Sequence, residues 1–220
     1  MKIGVIGAGA WGTALANLLA HKGFDVPLWA FEPEVCADIR ETRENKIFLP
    51  GFRLSENIHP SNDLDDVAAN KDMLLVVVPS HVFRSVITQI VQYPSEGTLI
   101  VSATKGIENK THLTASGMLE QVLPPKLHRQ IAVLSGPSFA KEVAEKIPTA
   151  VTVAAQEPGV ARAVQSAFAT RYFRVYTSFD VCGVEIGGAL KNVIAIASGM
   201  IDGLGLGLNT RAAVMTRGLA

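Results

Sequence analysis

Three glycines in the run Gly7-Ala8-Gly9-Ala10-Trp11-Gly12 follow directly on the apolar stretch Lys2–Ile6 and open a segment with helical spacing. Each has its own use in such a turn. Gly7 allows a tight bend, Gly9 lets a diphosphate approach the backbone, and Gly12 lets the helix pack against the strand. The helix start adds unpaired N–H groups and a positive dipole end. Ala10 and Trp11 sit in that first turn. The chemistry implied is dinucleotide binding. Glu32 stands at the end of the next apolar run, 20 residues past Gly12. An acid at about that distance often bonds the ribose, which would repel a 2′-phosphate and favour NAD over NADP. Acids are also favoured at helix starts for local reasons. Its neighbour Phe31 could stack on adenine.

Three further segments could carry polar chemistry. Thr104-Lys105-Gly106 follows the strand-like run Thr98–Ser102. A lysine at the carboxyl end of a parallel strand points into the ligand crevice of an open α/β sheet, although exposed loop lysines are common. Ser135-Gly136-Pro137-Ser138-Phe139-Ala140 ends another such run. It could offer hydroxyl and backbone donors to a small polar substrate, or simply be a turn leading into a helix capped by Ser138. Lys191 lies amid Ala189-Leu190 and Val193-Ile194. Its ammonium must reach solvent, a counter-charge or a ligand. Partial burial would lower its pKa and suit it to proton transfer, whereas a snorkelling structural lysine is the plain alternative. Asp202 lies about 16 Å further along the same helix face, too far for a direct pair.

Alternating strands and helices must hold these residues. Strand-like runs recur at 2–6, 26–29, 73–78, 98–102, 131–135, 150–154 and 173–177, with helical stretches at 11–21, 33–43, 80–91, 112–122 and 158–169. Leu74-Leu75-Val76-Val77-Val78 is apolar throughout, as suits a parallel sheet covered on both faces. The expected fold is α/β, a Rossmann-like doubly wound sheet over residues 1–180. From Asp180 to Met200 the chain reads as one helix rich in small residues, broken at Gly203–Gly207 and followed by a new helix from Asn209. Residues 181–220 are thus expected to begin an all-helical second domain that is cut short. So many helical glycines imply close packing or a ligand, because each costs about 1 kcal/mol against alanine.

Composition narrows the function classes. With 220 residues, 48% apolar and 18% charged, the chain can bury a sizeable core. Its net charge of +0 gives no reason to expect a nucleic-acid partner. Cys36 and Cys182, with no CxxC and no Cys/His cluster, exclude a disulfide scaffold and a zinc-finger site, and no metal is expected. Met1-Lys2 with the later Ala14-Leu15-Ala16 superficially resembles a secretory leader, but the glycine pattern accounts for that run better. No integral membrane segment is expected, because Glu185, Lys191 and Asn192 interrupt the apolar window Val184–Ile201. A cytoplasmic location follows as the default.

Taken together, six segments resemble the NAD(P)-dependent glycerol-3-phosphate dehydrogenases, most closely the bacterial type. They are Gly7–Gly12, Asn45–Gly51, Val78–Ser80, Thr104–Gly106, Ser135–Ala140 and Gly183–Asn192, the last followed by Gly203-Leu204-Gly205 and Thr210–Ala213. The resemblance implies hydride transfer between NAD or NADP and a small phosphate ester, sn-glycerol 3-phosphate or dihydroxyacetone phosphate, to supply phospholipid synthesis. It makes Lys191 the proton acceptor for the C2 hydroxyl. Lys105, Gly136 and Ser138 match substrate positions, with Lys105 also near the cofactor. Ala10, Trp11, Phe31 and Ala140 match positions that touch the dinucleotide. A homodimer is expected. Phe31-Glu32 looks like the NAD-using eukaryotic branch, where bacterial members often carry His or Arg in place of Phe31. The family's Asp and Ser-Arg-Asn cluster has no counterpart before Ala220, so these residues are expected to bind dinucleotide but turn over poorly. A hydroxyacid-type dehydrogenase of related architecture and a noncatalytic dinucleotide-binding module are the alternatives.

Overall fold

The computed structural model describes residues 1–219, with Ala220, the last residue of the expected helical segment 181–220, outside it. Eight strands form one sheet in the order β3-β2-β1-β4-β5-β6-β7-β8. These are β1 (Ile3–Ile6), β2 (Val26–Trp29), β3 (Ile58–Ser61), β4 (Met73–Val76), β5 (Leu99–Ser102), β6 (Ile131–Ser135), β7 (Thr149–Ala155) and β8 (Phe173–Ser178). Every junction is parallel except β6–β7. The order reverses between β1 and β4, and this is where a doubly wound sheet opens a crevice at its strand ends.

Helices cover both faces. Helices α1 (Ala10–His21), α2 (Pro33–Thr42), α6 (Ala140–Ala144) and α7 (Pro158–Phe168) bury apolar side chains in one core, which includes Leu15, Leu19, Ile39, Val164 and Phe168. Helices α3 (Leu64–Ala68), α4 (Ser80–Ile90) and α5 (Ala115–Val122) close the other, around Phe83, Ile87, Met118 and Leu119. The four residues of β1, of β4 and of β5 are buried throughout, so their unbroken apolar pattern is that of strands sandwiched between helices. Each fully buried Leu, Ile or Phe here contributes about 1.5–3 kcal/mol.

Two features, the β3 strand and the β6–β7 junction, depart from the pattern read along the chain. Strand β3 has little strand signal, because Ile58-His59-Pro60-Ser61 is polar and carries a proline, which an edge strand tolerates. Pro27 does fit inside β2, since the β1 ladder begins only at Leu28. Within the expected doubly wound sheet one junction is not parallel, because β7 runs antiparallel to β6. The short helix α6 packs against α1 and does not carry the chain back across the sheet.

Beyond β8 come α8 (Val181–Gly203) and α9 (Gly207–Leu219), packed on each other and broken where Gly205 and Gly207 take φ values of 65° and 83°. The many glycines of α8 do not share one cause. A Cβ on Gly188 would collide with the Ser135 hydroxyl, and one on Gly183 with the capping Asp180 carboxylate, whereas Gly187, Gly199 and Gly203 face open space. Leu190, Val193, Ile196 and Met200 are exposed. Contrary to expectation, α8 is long and apolar enough to cross a membrane, with a mean hydropathy of 1.4 over its best window. Its two charged residues ahead of Asp202 leave that average high. Glu185 is nonetheless buried against the nucleotide-fold domain.

Candidate active site

The glycine turn is built as its spacing requires. Gly7 has φ 118° and sits against the Val77 carbonyl, so any Cβ there would overlap backbone. A Cβ on Gly12 would overlap the Gly7 carbonyl. Gly9 differs. It starts α1 in extended geometry, φ −65° and ψ 178°, and a Cβ on it would meet nothing within 4 Å. No side chain caps α1 and no acid occupies its first turn, so its first N–H groups and dipole are left to an anion. Open space before unpaired N–H groups fits a dinucleotide diphosphate.

Beside this turn lies Lys105, held after β5 by its neighbours. The Thr104 hydroxyl donates to the Val78 carbonyl at 2.9 Å, and Gly106, with φ 130°, lies so close to Ser80 that a Cβ would come within 2.7 Å of its Oγ. The Lys105 ammonium donates to the Gly136 carbonyl at 3.3 Å and to Ser138 Oγ at 3.5 Å, and lies 5.9 Å from the Trp11 ring centre. Burial lowers the Lys105 pKa, and the nearby charge of Lys191 lowers it further. An anionic ligand would offset both effects. Trp11 Nε1 is a buried donor without a partner beside the same ammonium. Lys105, Trp11, Gly136 and Ser138 therefore converge. Ser138 does not cap α6; the N-cap is Phe139, whose side chain makes no cap bond, and Ala140 begins the helix.

Lys191 approaches from α8. Of the destinations open to it, the ammonium takes solvent and its own neighbour: it is exposed and donates to the Asn192 side-chain carbonyl at 2.8 Å. The half-buried lysine of the pair is Lys105. Asp202 turns instead to Arg211, at 3.1 Å. Phe31 projects from the end of β2, 75% exposed, with Trp29 edge-on 6.1 Å away, and Glu32 is the N-cap position of α2.

Three supporting groups carry no local sequence signal. Asn192 is one. Glu185 is another: it accepts from the Ser116 N–H at 2.8 Å and from its hydroxyl at 2.5 Å, tying α8 to the start of α5. The third is Glu108, which follows Lys105 in the same loop and accepts from Arg84 at 2.8 and 2.7 Å and from the Thr111 hydroxyl. The Arg84 hydrogen bonds, then that of Thr111, lower its carboxyl from 4.5 to about 2. A carboxyl held below its unfolded value stabilises the fold above about pH 4.5, and that contribution is lost as pH falls through about 2. Arg84→Met is expected to let Glu108 titrate closer to its ordinary value, so the acid-unfolding midpoint followed by circular dichroism moves to higher pH.

A reversal point at the carboxyl ends of a mostly parallel sheet, with an uncapped glycine turn beside it, defines a Rossmann-type nucleotide-fold domain. The family model described as "NAD-dependent glycerol-3-phosphate dehydrogenase N-terminus" matches residues 2–161, and its C-terminal counterpart matches residues 180–220. The chain belongs to the NAD-dependent glycerol-3-phosphate dehydrogenase family. It is 57% identical over 218 residues to the glycerol-3-phosphate dehydrogenase [NAD(P)+] of Syntrophobacter fumaroxidans, covering 99% of this chain and 64% of that protein. Among solved structures, the glycerol-3-phosphate dehydrogenase of Coxiella burnetii superposes with a TM-score of 0.88 at 38% identity, over 99% of this chain and 66% of the other. That of Saccharomyces cerevisiae gives 0.88 at 30% identity, over 100% and 68%. The chain spans about 64% of the length of the curated relative.

Proposed function

We propose that this chain carries the cofactor-binding and proton-transferring parts of a glycerol-3-phosphate dehydrogenase. The enzyme interconverts sn-glycerol 3-phosphate and dihydroxyacetone phosphate with NAD or NADP and supplies the former to phospholipid synthesis. The observation that carries this is the convergence of Lys105, Gly136, Ser138 and Trp11 beside the Gly7–Gly12 turn, with the charge of Lys191 felt at Lys105. Family membership supports it.

Gly7, Gly9, Ala10, Trp11 and Gly12 would hold the diphosphate half of the cofactor, with Phe31 and Ala140 along its length. When bound, the nicotinamide supplies or takes the hydride at C2. Lys191 gives a proton to the C2 oxygen during reduction and removes it during oxidation, and its positive charge steadies the alkoxide between. The exposed ammonium can exchange protons with solvent after each turnover. Lys105 donates to the substrate's oxygens while Ser138 and the Gly136 backbone orient the carbon chain. Residues 1–180 are the dinucleotide domain, and 181–220 begin the helical substrate domain, on which Leu190, Val193, Ile196 and Met200 are exposed. The enzyme works in the cytoplasm as a homodimer.

Mixing the full-length enzyme with reduced nicotinamide and dihydroxyacetone phosphate should consume absorbance at the nicotinamide band. Consumption with a hydroxyacid's keto form alone would overturn this function. The same assay reads cofactor choice. With Glu32 at the ribose, NADH is expected to exceed NADPH in kcat/KM. Glu32→Gln should narrow the ratio by about tenfold, since one like-charge contact near a surface is worth on the order of 1–4 kcal/mol.

A further inference from the structure

The segment Asn45–Gly51 has no part in the function above, yet its first residue is tied into the glycine turn. Among the described residues, Thr13 and Asn45 are the polar side chains with 0% exposure. Asn45 Nδ2 donates to the Ala8 carbonyl and to Thr13 Oγ1, both at 2.8 Å. The Thr13 hydroxyl donates to the same Ala8 carbonyl at 3.1 Å. On the other side, Asn45 Oδ1 accepts from the Phe48 N–H at 3.0 Å, and its backbone carbonyl accepts from the Leu49 N–H at 2.9 Å. These partners fix the amide's orientation. A backbone N–H can only donate and a carbonyl can only accept, so the oxygen must face Phe48 and the nitrogen Ala8.

The consequence lies in the next peptide bond. Ala8 C=O and Gly9 N–H belong to one planar trans unit and point in opposite directions. Two donors holding the carbonyl toward the interior therefore turn the Gly9 N–H outward, on the glycine whose Cβ direction meets open space. With this peptide reversed, a carbonyl oxygen would face an incoming diphosphate and repel it. We propose that Asn45, assisted by Thr13, is a positioning residue that sets the Ala8–Gly9 peptide for diphosphate binding. This rests on the dinucleotide reading of Gly7–Gly12.

The test is Asn45→Asp in the full chain, which keeps the side chain's size but presents a second acceptor to the Ala8 carbonyl. Affinity for NADH, read by fluorescence titration well below both melting temperatures, is expected to fall about tenfold or more, the scale of one lost charge-sensitive hydrogen bond. ADP-ribose, which keeps the diphosphate but lacks nicotinamide, should lose affinity by the same factor. Thr13→Val should weaken both ligands in the same sense, with Thr13→Ser restoring them, and this pair decides the matter if Asn45→Asp fails to fold. In amide NMR spectra, ADP-ribose should shift the Gly9 N–H of the wild type far more than that of the variant. Unchanged affinity in the variants, against a wild type that binds, overturns the inference alone. A wild type that binds neither ligand overturns the dinucleotide reading and this inference with it.

Discussion

Lys191→Ala is expected to lower kcat about 10²–10⁴-fold, the usual contribution of a positioned acid–base group, while affinity for the nicotinamide cofactor stays close to wild type. The separation follows from where the lysine sits. Its ammonium is on α8, outside the strand-end turns that would hold the dinucleotide, and its hydrogen bond goes to Asn192. On the proposed reading, removing it deletes the proton donor along with one of two neighbouring positive charges. Lys191→Arg separates these two losses. A guanidinium keeps the charge but cannot release its proton at working pH. Lys191→Arg should therefore remain nearly as slow as the alanine variant if proton transfer limits the rate, and recover strongly if charge alone matters. Loss of Lys191 should also raise the Lys105 pKa, because the repulsion between them is one cause of its depression. A kcat unaltered in Lys191→Ala would reduce the residue to a surface cation.

What could be read in the chain differs sharply between kinds of contact. The glycine turn was legible because Gly7 and Gly12 meet steric demands that only glycine satisfies, while Gly9 leaves the open space a diphosphate would need. Lys105 was legible from its place after an apolar strand, since sheet geometry sends strand ends to the crevice. Its burial was not. Neither was the exposure of Lys191, because side-chain environment depends on how α8 lies against β6, and a Gly188–Ser135 approach sets that. Asn45 reaches a carbonyl 37 residues away, Arg84 a carboxylate 24 residues away and Glu185 a serine 69 residues away. Such partners are chosen by the folded arrangement and leave no local period. The β3 edge strand was illegible for another reason: an edge needs few apolar side chains, so His59 and Pro60 cost little there. The apolar stripe on α8 reads the same along the chain whether it faces lipid, water or protein. The anchoring of Glu185 to Ser116 and the close approach of Gly188 to Ser135 show that one side of this helix is committed to the nucleotide-fold domain.

The sharpest division within the site is between two glycines three residues apart. Gly12→Ala is expected to cost more than about 3 kcal/mol of stability, because the new methyl would overlap the Gly7 carbonyl and only a shift of α1 against β1 relieves it. The melting temperature should fall by many degrees and dinucleotide binding with it. Gly9→Ala should behave oppositely. At φ −65° and ψ 178° alanine is unstrained, and its methyl touches nothing within 4 Å, so stability should change by less than about 1 kcal/mol. Yet that methyl would occupy the space in front of the unpaired N–H groups at the head of α1. NADH affinity should fall about tenfold or more, as when a closely approached hydrogen-bonded group is pushed away. Melting curves and NADH titrations on both variants distinguish the cases directly. If Gly9→Ala bound NADH as tightly as wild type, the diphosphate could not lie against this turn, and Lys105 and Lys191 would need a different cofactor placement to share its chemistry.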